Sequence, residues 1–375
     1  MAVEITWNDI PESCDNSSNQ ISQEISLSDN HTLFISDNYP VLQGFVASGI
    51  KVNLIYIDPP YNTGNNFTYL DNFSCGGDHH SAWLSFMNRR LLLAKEILLE
   101  DGCIFIAIDQ SELYVLKLLC DKIFGEENFV NDFMWLHGKG KKDSWSRTLQ
   151  QHTLCYAKNK QKLRPFVEVE YSNWAKTNND NDSRGNWFSG SISFSEKRSN
   201  PNHKNFYSVT SPGGKVWTRQ WLVSQSEMNS LMAEDRIFWG KPPLFDKVPR
   251  LKVFNGTPTQ VIPKNIIDCV ESTRSAQNHL DKLLGQKGLF DNPKPVNLIM
   301  HLIEISQMPS DAVILDFFAG SGTTFEAVVE LNKKDNGNRR CLLVQKDENE
   351  IALTCEKRIN AVKGDSKVDI IRYTS

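Results

Sequence analysis

The sequence of 375 residues lacks the long apolar and charged signals of a membrane or exported protein. No apolar run approaches the ~20 residues that a membrane-spanning helix needs. Its first residues carry neither the basic flank nor the apolar core of a secretory signal, so export is not expected. We therefore predict a cytoplasmic protein that makes no contact with a membrane.

The eight cysteines include no Cys-x-x-Cys pair, which argues against a zinc or disulfide framework. Several of them lie inside apolar runs, where reduced core cysteines are expected. Cys75 with His79 and His80 is a weak metal pattern, because no second matching pair accompanies it. We expect no bound metal.

The composition is that of a globular protein, with 40% hydrophobic and 23% charged residues. Its charge is unevenly distributed along the chain. Residues 137–290 carry 24 Lys and Arg against 13 Asp and Glu, whereas the remainder carries 17 against 32. A basic middle segment in an acidic frame favours a polyanion-binding region, and ordinary charge scatter remains the alternative.

Strand-like and helix-like patterns alternate on both sides of this middle segment. The near-continuous apolar run at 52–57 is typical of a parallel strand covered on both faces. Residues 81–99 form an amphipathic pattern, with Arg89 and Arg90 on its polar face. We predict an α/β fold with helices on both faces of the sheet; its strands are 32–36, 52–57, 103–108, 153–157, 312–317, 341–345 and 368–373, and its helices 81–99, 111–124, 296–307, 323–331 and 351–361.

The segment from 159 to 284 has weak periodicity and is rich in Asn, Ser, Gly and Pro. Seven of the nine tryptophans lie between positions 135 and 239. These features indicate an inserted, irregular second domain with short strands. We predict four parts: an N-terminal arm (1–31), a first half of the main domain (32–160), the insert (161–285) and a second half (286–375).

The sequence Asp58-Pro59-Pro60-Tyr61 follows the apolar run 52–57 directly. Two prolines stiffen this turn and leave carbonyls without a local N–H partner. A carboxylate and a proline carbonyl together can accept both hydrogens of an exocyclic amine, and Tyr61 offers a ring for a planar base. Base–aromatic stacking is worth ~1–3 kcal/mol. The alternative is a rigid structural turn with Asp58 as a cap.

A second strand-to-loop junction lies at 314–324, where Gly320-Ser321-Gly322 opens a predicted helix. Such a loop brings a ligand onto a helix N-terminus, and glycine lets the backbone approach it closely. The dinucleotide-binding pattern would need a third glycine where Phe325 stands, and a P-loop would need Lys after Gly322. A purely structural turn remains the alternative.

Together the two junctions resemble the amino-group DNA methyltransferases that use S-adenosylmethionine. Their order is that of the β class, and residues 55–67, 289–295 and 316–324 resemble the modification subunit of type III restriction systems. The resemblance spans residues 32–362. It implies a Rossmann-like methyltransferase sheet and transfer to adenine N6, because cytosine-N4 members usually carry Ser where Asp58 stands.

The resemblance also implies roles for individual residues. The catalytic turn would be Asp58, Pro59, Pro60 and Tyr61, with Asp58 and the Pro59 carbonyl holding the amino group. Asp37 would lie near an adenine ring. Lys294 would bind the donor's carboxylate, and Gln345, or alternatively Asp347, its ribose. The predicted donor-binding residues are Asn292, Lys294, Asp316, Phe318, Ala319, Gly320, Gly322, Thr323, Thr324 and Gln345.

The basic middle segment would then contact double-stranded DNA, with Arg184, Trp187 and Arg219 among the candidates. The alternative places most of its aromatic residues in the core of the insert. A restriction subunit and a homodimer are left open as partners. Three functional alternatives also stay open: cytosine-N4 methylation, a DNA-binding specificity module without catalysis, and a nicotinamide-dependent oxidoreductase, which the missing glycine disfavours.

Overall fold

The structure is a computed structural model of the chain. It describes residues 5–9, 24–64, 73, 78–136, 145–173, 178, 182–268 and 270–373. The chain divides into two compact units, one made of Met1–Val167 with Ile262–Ser375 and the other of Glu168–Val261.

Sixteen strands and eight helices are formed by the described residues. The strands are β1 (His31–Ile35), β2 (Val52–Ile57), β3 (Leu98–Ile108), β4 (Phe129–Leu136), β5 (Gln150–Ala157), β6 (Glu168–Tyr171), β7 (Trp187–Gly190), β8 (Phe206–Thr210), β9 (Val216–Gln220), β10 (Ile237–Phe238), β11 (Arg250–Phe254), β12 (Pro258–Val261), β13 (Ile266–Ile267), β14 (Val313–Asp316), β15 (Arg340–Gln345) and β16 (Val368–Arg372). The helices are α1 (Asn38–Ala47), α2 (His79–Ile97), α3 (Leu113–Phe124), α4 (Gln225–Ala233), α5 (Thr273–Leu284), α6 (Val296–Ile305), α7 (Thr323–Asp335) and α8 (Ile351–Val362).

The first unit is built on a nine-stranded sheet in the order β13-β4-β5-β3-β2-β14-β15-β1-β16. Only β5 runs antiparallel to its two neighbours, β3 and β4. Alternate residues of β2 enter two different cores: Ile55 and Ile57 pack on the side of α1, α2 and α3, whereas Leu54 and Tyr56 pack on the side of α6, α7 and α8. The predicted α/β sheet with helices on both faces is confirmed.

Helix α2 begins two residues earlier than the hydrophobic pattern predicts, because the Asp78 side chain accepts a hydrogen bond from the His80 N–H and caps the helix. It ends at Ile97, where the chain becomes extended and enters β3. The predicted position of Arg90 on the polar face is wrong, since its side chain is fully buried. Its guanidinium lies 3.6 Å from the centre of the Phe86 ring and hydrogen-bonds to Asn38 and Asp37, which offset the cost of burial.

In the second unit the described residues form a three-stranded sheet (β10-β11-β7), two strand pairs (β12-β6 and β8-β9) and α4. Its small core contains Ile192, Trp221, Met228 and Trp239. Residues 262–285, which the composition assigned to the insert, belong to the first unit, because β13 pairs with β4 and α5 packs on α8.

Part of the N-terminal arm lies on the first unit. Ile5 and Trp7 pack against its core, and the indole N–H of Trp7 donates to Ser85 Oγ at 3.1 Å. Across the described ranges, no helix combines the length and the apolar content that crossing a membrane requires.

Candidate active site

The two strand-to-loop junctions meet at one edge of the sheet. Strands β2 and β14 are parallel neighbours, with Leu54 beside Ile314 and Ile55 beside Leu315. Their carboxyl ends therefore open side by side, where open α/β sheets bind ligands. A pocket of about 350 Å³ lies there, and both junctions line it; the lining includes Asp37, Tyr56, Asp58, Pro60, Phe86, Phe290, Asn292, Lys294, Asp316, Phe318, Ala319, Gly320, Ser321, Thr323, Thr324, Gln345 and Glu348.

Both carboxylate oxygens of Asp58 are engaged. Lys294 Nζ lies 2.5 Å from Oδ2, and the Tyr61 hydroxyl donates to Oδ1 at 2.5 Å. The same ammonium lies 2.8 Å from the Tyr61 hydroxyl. Lys294 is almost completely buried, whereas Asp58 keeps 28% of its side chain exposed. The three side chains thus form one hydrogen-bonded cluster just after the carboxyl end of β2.

The backbone of this turn is held from helix α2. The indole N–H of Trp83, a fully buried residue, donates to the Pro60 carbonyl at 2.7 Å. Among the described residues none donates to the carbonyl of Pro59. Pro59 is not among the residues that line the pocket, so its use as an amine acceptor stays a prediction.

The loop after β14 needs glycine at two positions. Gly320 and Gly322 have φ of +52° and +82°, in the left-handed region that other residues rarely adopt. A Cβ on Gly320 would lie 3.0 Å from Phe290, and one on Gly322 would lie 3.0 Å from the sulfur of Cys355. The backbone therefore forms a close cradle that larger side chains would fill.

Asp316 lies at the floor of the pocket, with 2% of its surface exposed. Burial raises the pKa of this carboxyl to about 7, although hydrogen bonds from the Thr324 hydroxyl and the Phe318 N–H act in the opposite direction. The nearby charge of Asp58 raises this pKa further, whereas Lys294 lowers it.

Asp37 caps helix α1 by accepting from the Tyr39 N–H at 2.9 Å. Its Oδ1 also accepts from buried Arg90 at 3.2 Å. The side chain lines the pocket in a fixed orientation.

Both the oxygen and the nitrogen of the Gln345 side-chain amide make hydrogen bonds. Its Oε1 accepts from the Gly320 N–H at 2.7 Å, and its Nε2 donates to the Lys346 carbonyl. Its observed contacts thus support the glycine loop. In the loop after β15, Glu348 lines the pocket, whereas Asp347 does not. Sequence reasoning did not single out Glu348, although it lies in the same short stretch as the two residues that were considered.

A buried ionic network lies beneath the glycine loop. Arg358, on α8, donates to Glu326 Oε2 at 2.6 Å, to Thr323 Oγ1 at 2.7 Å and to Ser321 Oγ at 3.0 Å. The other oxygen of Glu326 lies 2.6 Å from His279 Nε2, on α5. This network ties the pocket-lining hydroxyls to two helices, and no local sequence signal indicated it.

The three DNA-contact candidates lie in the second unit and make internal contacts there. Trp187 is 1% exposed and packs on Phe238, as a core residue would. Arg184 is held by Asp182 at 2.6 Å and lies over the Phe254 ring.

Arg219 is 8% exposed and pairs with Glu196 at 2.8 Å. Its guanidinium also lies 5.2 Å from the centre of the Trp217 ring. The burial of Trp187 favours the alternative that places the aromatic residues in the core of the insert, whereas Arg184 is exposed and stays a candidate for DNA contact.

Comparison with known families agrees with this geometry. A family model described as DNA methylase, of the N6/N4 type, matches residues 52–363, which is most of the chain. The chain belongs to the N6/N4 DNA methylase family.

Curated relatives of this methylase chain include subunits of restriction-modification enzymes. The StyLTI Mod subunit of Salmonella typhimurium is 34% identical over 85% of this chain and 53% of its own length. The EcoPI Mod subunit of Escherichia phage P1 is 34% identical over 87% and 59%. Type II methyltransferase M.KpnI of Klebsiella pneumoniae is 32% identical over 85% and 81%. The methylase chain thus spans between half and two thirds of the length of these type III relatives.

We predict that Arg358→Met destabilises the methylase chain by about 3–5 kcal/mol, because the change leaves the buried Glu326 carboxylate without its main partner. The double variant Arg358→Met with Glu326→Leu should recover most of this loss, since it removes both charges together. Denaturant unfolding of both variants measures the effect.

Lys333→Met serves as the control, since its partner Glu330 is exposed and such a pair contributes about 0–1 kcal/mol. A double variant no more stable than Arg358→Met would contradict the assigned role of the ion pair.

Proposed function

We propose that this chain is a DNA methyltransferase that transfers a methyl group from S-adenosylmethionine to the N6 amino group of an adenine flipped out of the duplex. One observation carries the proposal: Asp58 of the first junction and Gly320 of the second line the same pocket. Membership of the N6/N4 family supports the same chemistry. Family membership alone leaves two targets, and the carboxylate at position 58 favours adenine.

The residues of the pocket fit a nucleoside-type methyl donor. Gly320 lines the pocket in a left-handed conformation that other residues rarely adopt, and the Tyr56 hydroxyl is buried without a hydrogen-bond partner among the described residues. Glu348 offers a carboxylate for ribose hydroxyls in place of Gln345. The residues that we propose to hold the donor are Asn292, Asp316, Phe318, Ala319, Gly320, Gly322, Thr323, Thr324 and Glu348.

The bound donor supplies an electrophilic methyl carbon on a sulfonium sulfur. Asp58 and the Pro59 carbonyl accept the two hydrogens of the adenine amino group, which directs its lone pair toward that carbon. The nitrogen would gain the methyl group that the donor's sulfur gives up, and Asp58 is placed to accept the one proton that this nitrogen would then lose. The acceptors favour the positive nitrogen of the transition state.

Lys294 and Tyr61 prepare Asp58 for this role. The ammonium 2.5 Å from Oδ2 makes a charge-assisted contact with the carboxylate, and the Tyr61 hydroxyl fixes its rotation. Stacking of the target base on the Tyr61 ring stays part of the proposal, as the resemblance implies. The geometry favours a positioning role for Lys294 over the donor-carboxylate contact that the resemblance implies.

We propose that the second unit, residues 168–261, contributes to recognition of double-stranded DNA. Five exposed cations on it are available for phosphate contacts: Lys197, Arg198, Lys204, Lys215 and Lys241. Association with a restriction subunit and formation of a homodimer are proposals drawn from the Mod relatives and the resemblance. Action on cellular DNA would place the chain in the cytoplasm.

Asp58→Asn should lower methyl transfer at least ~100-fold, as loss of a transition-state hydrogen-bond partner does elsewhere. The amide keeps the size of the side chain but replaces one acceptor oxygen by a donor. Purified protein is incubated with plasmid DNA from a methylation-deficient host, and the nucleosides are quantified by mass spectrometry.

Asp311→Asn, an exposed change away from the pocket, is the control. Donor binding, measured by calorimetry, should survive in Asp58→Asn. A fully active Asp58→Asn would refute the mechanism. N4-methylcytosine as the product would establish the alternative target, and an inactive wild-type chain that still binds DNA would favour a specificity module.

Lys294→Met should lower kcat about 10- to 100-fold, because a hydrogen bond between charged groups is worth about 1.5–3 kcal/mol. The donor Kd should stay unchanged, and Lys294→Arg should restore part of kcat. Calorimetry and single-turnover rates at saturating donor separate the two effects. A weakened donor Kd with unchanged kcat would instead establish Lys294 as the donor's carboxylate ligand.

Affinity for S-adenosylmethionine should rise with pH toward neutrality, relative to affinity for the product S-adenosylhomocysteine, which lacks the sulfonium charge. Because the pKa of Asp316 is raised to about 7, the free pocket holds a proton below that pH, whereas a cationic donor favours the ionised form. Because the folded state binds this proton more tightly than the unfolded state, the protonated carboxyl contributes fully to folding stability below its usual pKa of 3.8. That contribution is lost as pH rises through about 7.

Calorimetry of both ligands from about pH 5 to pH 8 measures the ratio of the two affinities, which can change up to about tenfold per pH unit for one linked proton. The ratio should lose this dependence in Asp316→Asn. A ratio that is flat in the wild type would contradict the assignment.

A further inference from the structure

We propose that Asn62 and Glu112 are positioning residues that hold the Asp58–Tyr61 turn in its reactive geometry, a role that rests on the proposed function. Neither residue is assigned by the resemblance. Both lie next to the turn and outside the donor cradle.

Asn62 directly follows Tyr61 and is 7% exposed. Its φ of +58° lies in the left-handed region, which residues other than glycine rarely adopt. Its Nδ2 donates to Glu112 Oε1 at 2.7 Å and to the His79 carbonyl at 3.1 Å. The side chain thus anchors the end of the turn to the beginnings of α2 and α3.

Glu112 occupies the N-cap position of α3, yet its side chain accepts no hydrogen bond from that helix. Its carboxylate is fully buried, and Oε1 contacts both Asn62 and His80 Nδ1 at 2.7 Å. Oε2 has no hydrogen-bond partner among the described residues. A buried, half-satisfied carboxylate is costly, so stabilisation of α3 does not explain it.

The turn is therefore held at two points. Trp83 fixes the Pro60 carbonyl from α2, and Asn62 with Glu112 fixes the residue after Tyr61. Tyr61 lies between these points, and Asp58 lies two residues before the first of them. Displacement of such groups by about 1 Å can cost on the order of 100-fold in rate.

His79, His80 and Glu112 also place three ligand atoms within 4.8 Å of one another, a spacing that could hold a cation. His80 Nδ1 and Glu112 Oε1 are hydrogen-bonded to each other, so these two atoms are already engaged without a cation. This contact favours the positioning role. The test below includes this metal site as an outcome.

Three variants separate the contributions. Asn62→Gly keeps the left-handed backbone accessible and removes only the amide; Glu112→Ala removes the acceptor, and Glu112→Gln retains one acceptor oxygen. Asn336→Gly is a matched control, because Asn336 has a φ of +55° at the end of α7, outside the pocket lining.

We expect kcat to fall on the order of 100-fold in Asn62→Gly and Glu112→Ala, with donor Kd unchanged and Glu112→Gln recovering most of the rate. Hydrogen exchange should quicken in a peptide covering 54–64 and stay constant in one covering 313–324. The exchange readout needs no catalysis, so its outcome is independent of whether the wild type methylates DNA.

Unchanged exchange in the turn would overturn the proposal, as would a kcat per folded molecule equal to that of the wild type. A parallel loss of donor affinity would also overturn it, since it would indicate general unfolding. If one equivalent of zinc chloride raises the melting temperature of the wild type but not of Glu112→Gln, the cluster is a metal site and the positioning role fails.

Discussion

Parallel pairing of β2 with β14 determines where every group of the site lies. Leu54 beside Ile314 fixes the register, and the Asn53 side chain accepts from the Val313 N–H at 2.8 Å to close the start of the pair. A slip of one residue would exchange the two faces of β2 and carry Tyr56 away from the pocket. Because both faces are buried, such a slip would cost the packing of two cores at once, and the register is strongly specified. The long chain segment between the two strands is tolerated, because loop-closure entropy grows only with the logarithm of its length.

Two buried arginines connect the loops at the carboxyl ends of the strands to neighbouring helices. Arg90 connects α2 to Asp37 and Asn38, and Asn38 in turn donates to the Phe317 carbonyl of the second loop at 2.7 Å. Arg358 does the same from α8 for the hydroxyls that follow the glycines. Each guanidinium has several fixed donors, so it can hold two chain segments at once where a lysine would hold fewer. Loops that would otherwise be mobile are thereby tied to rigid helices.

The sequence predicted well what local patterns determine. Strands β2 and β14 show as apolar runs because both of their faces are covered, and the two junctions show because proline and glycine constrain the backbone directly. Helix α1 was missed, since its ten residues include a proline and a glycine that weaken the helical pattern. The burial of Trp187 and the contacts of Gln345 could not be predicted, because they depend on partners distant in sequence. Neither the Arg358 network nor the link from Asn62 to Glu112 follows any spacing rule.

The pocket carries an unbalanced set of buried charges. Lys294 contacts Asp58 directly and acts on Asp316 only through its charge. Burial nevertheless raises the pKa of Asp316 to about 7. Hydrophobic residues would fill the same volume at lower cost, because burying ions is rarely repaid by their mutual attraction alone. A bound cation would balance the second carboxylate and so account for the two acids in this pocket. In the proposed reaction the sulfonium donor has that charge and its product does not, so the attraction of Asp316 for the bound ligand would weaken once the methyl group has moved.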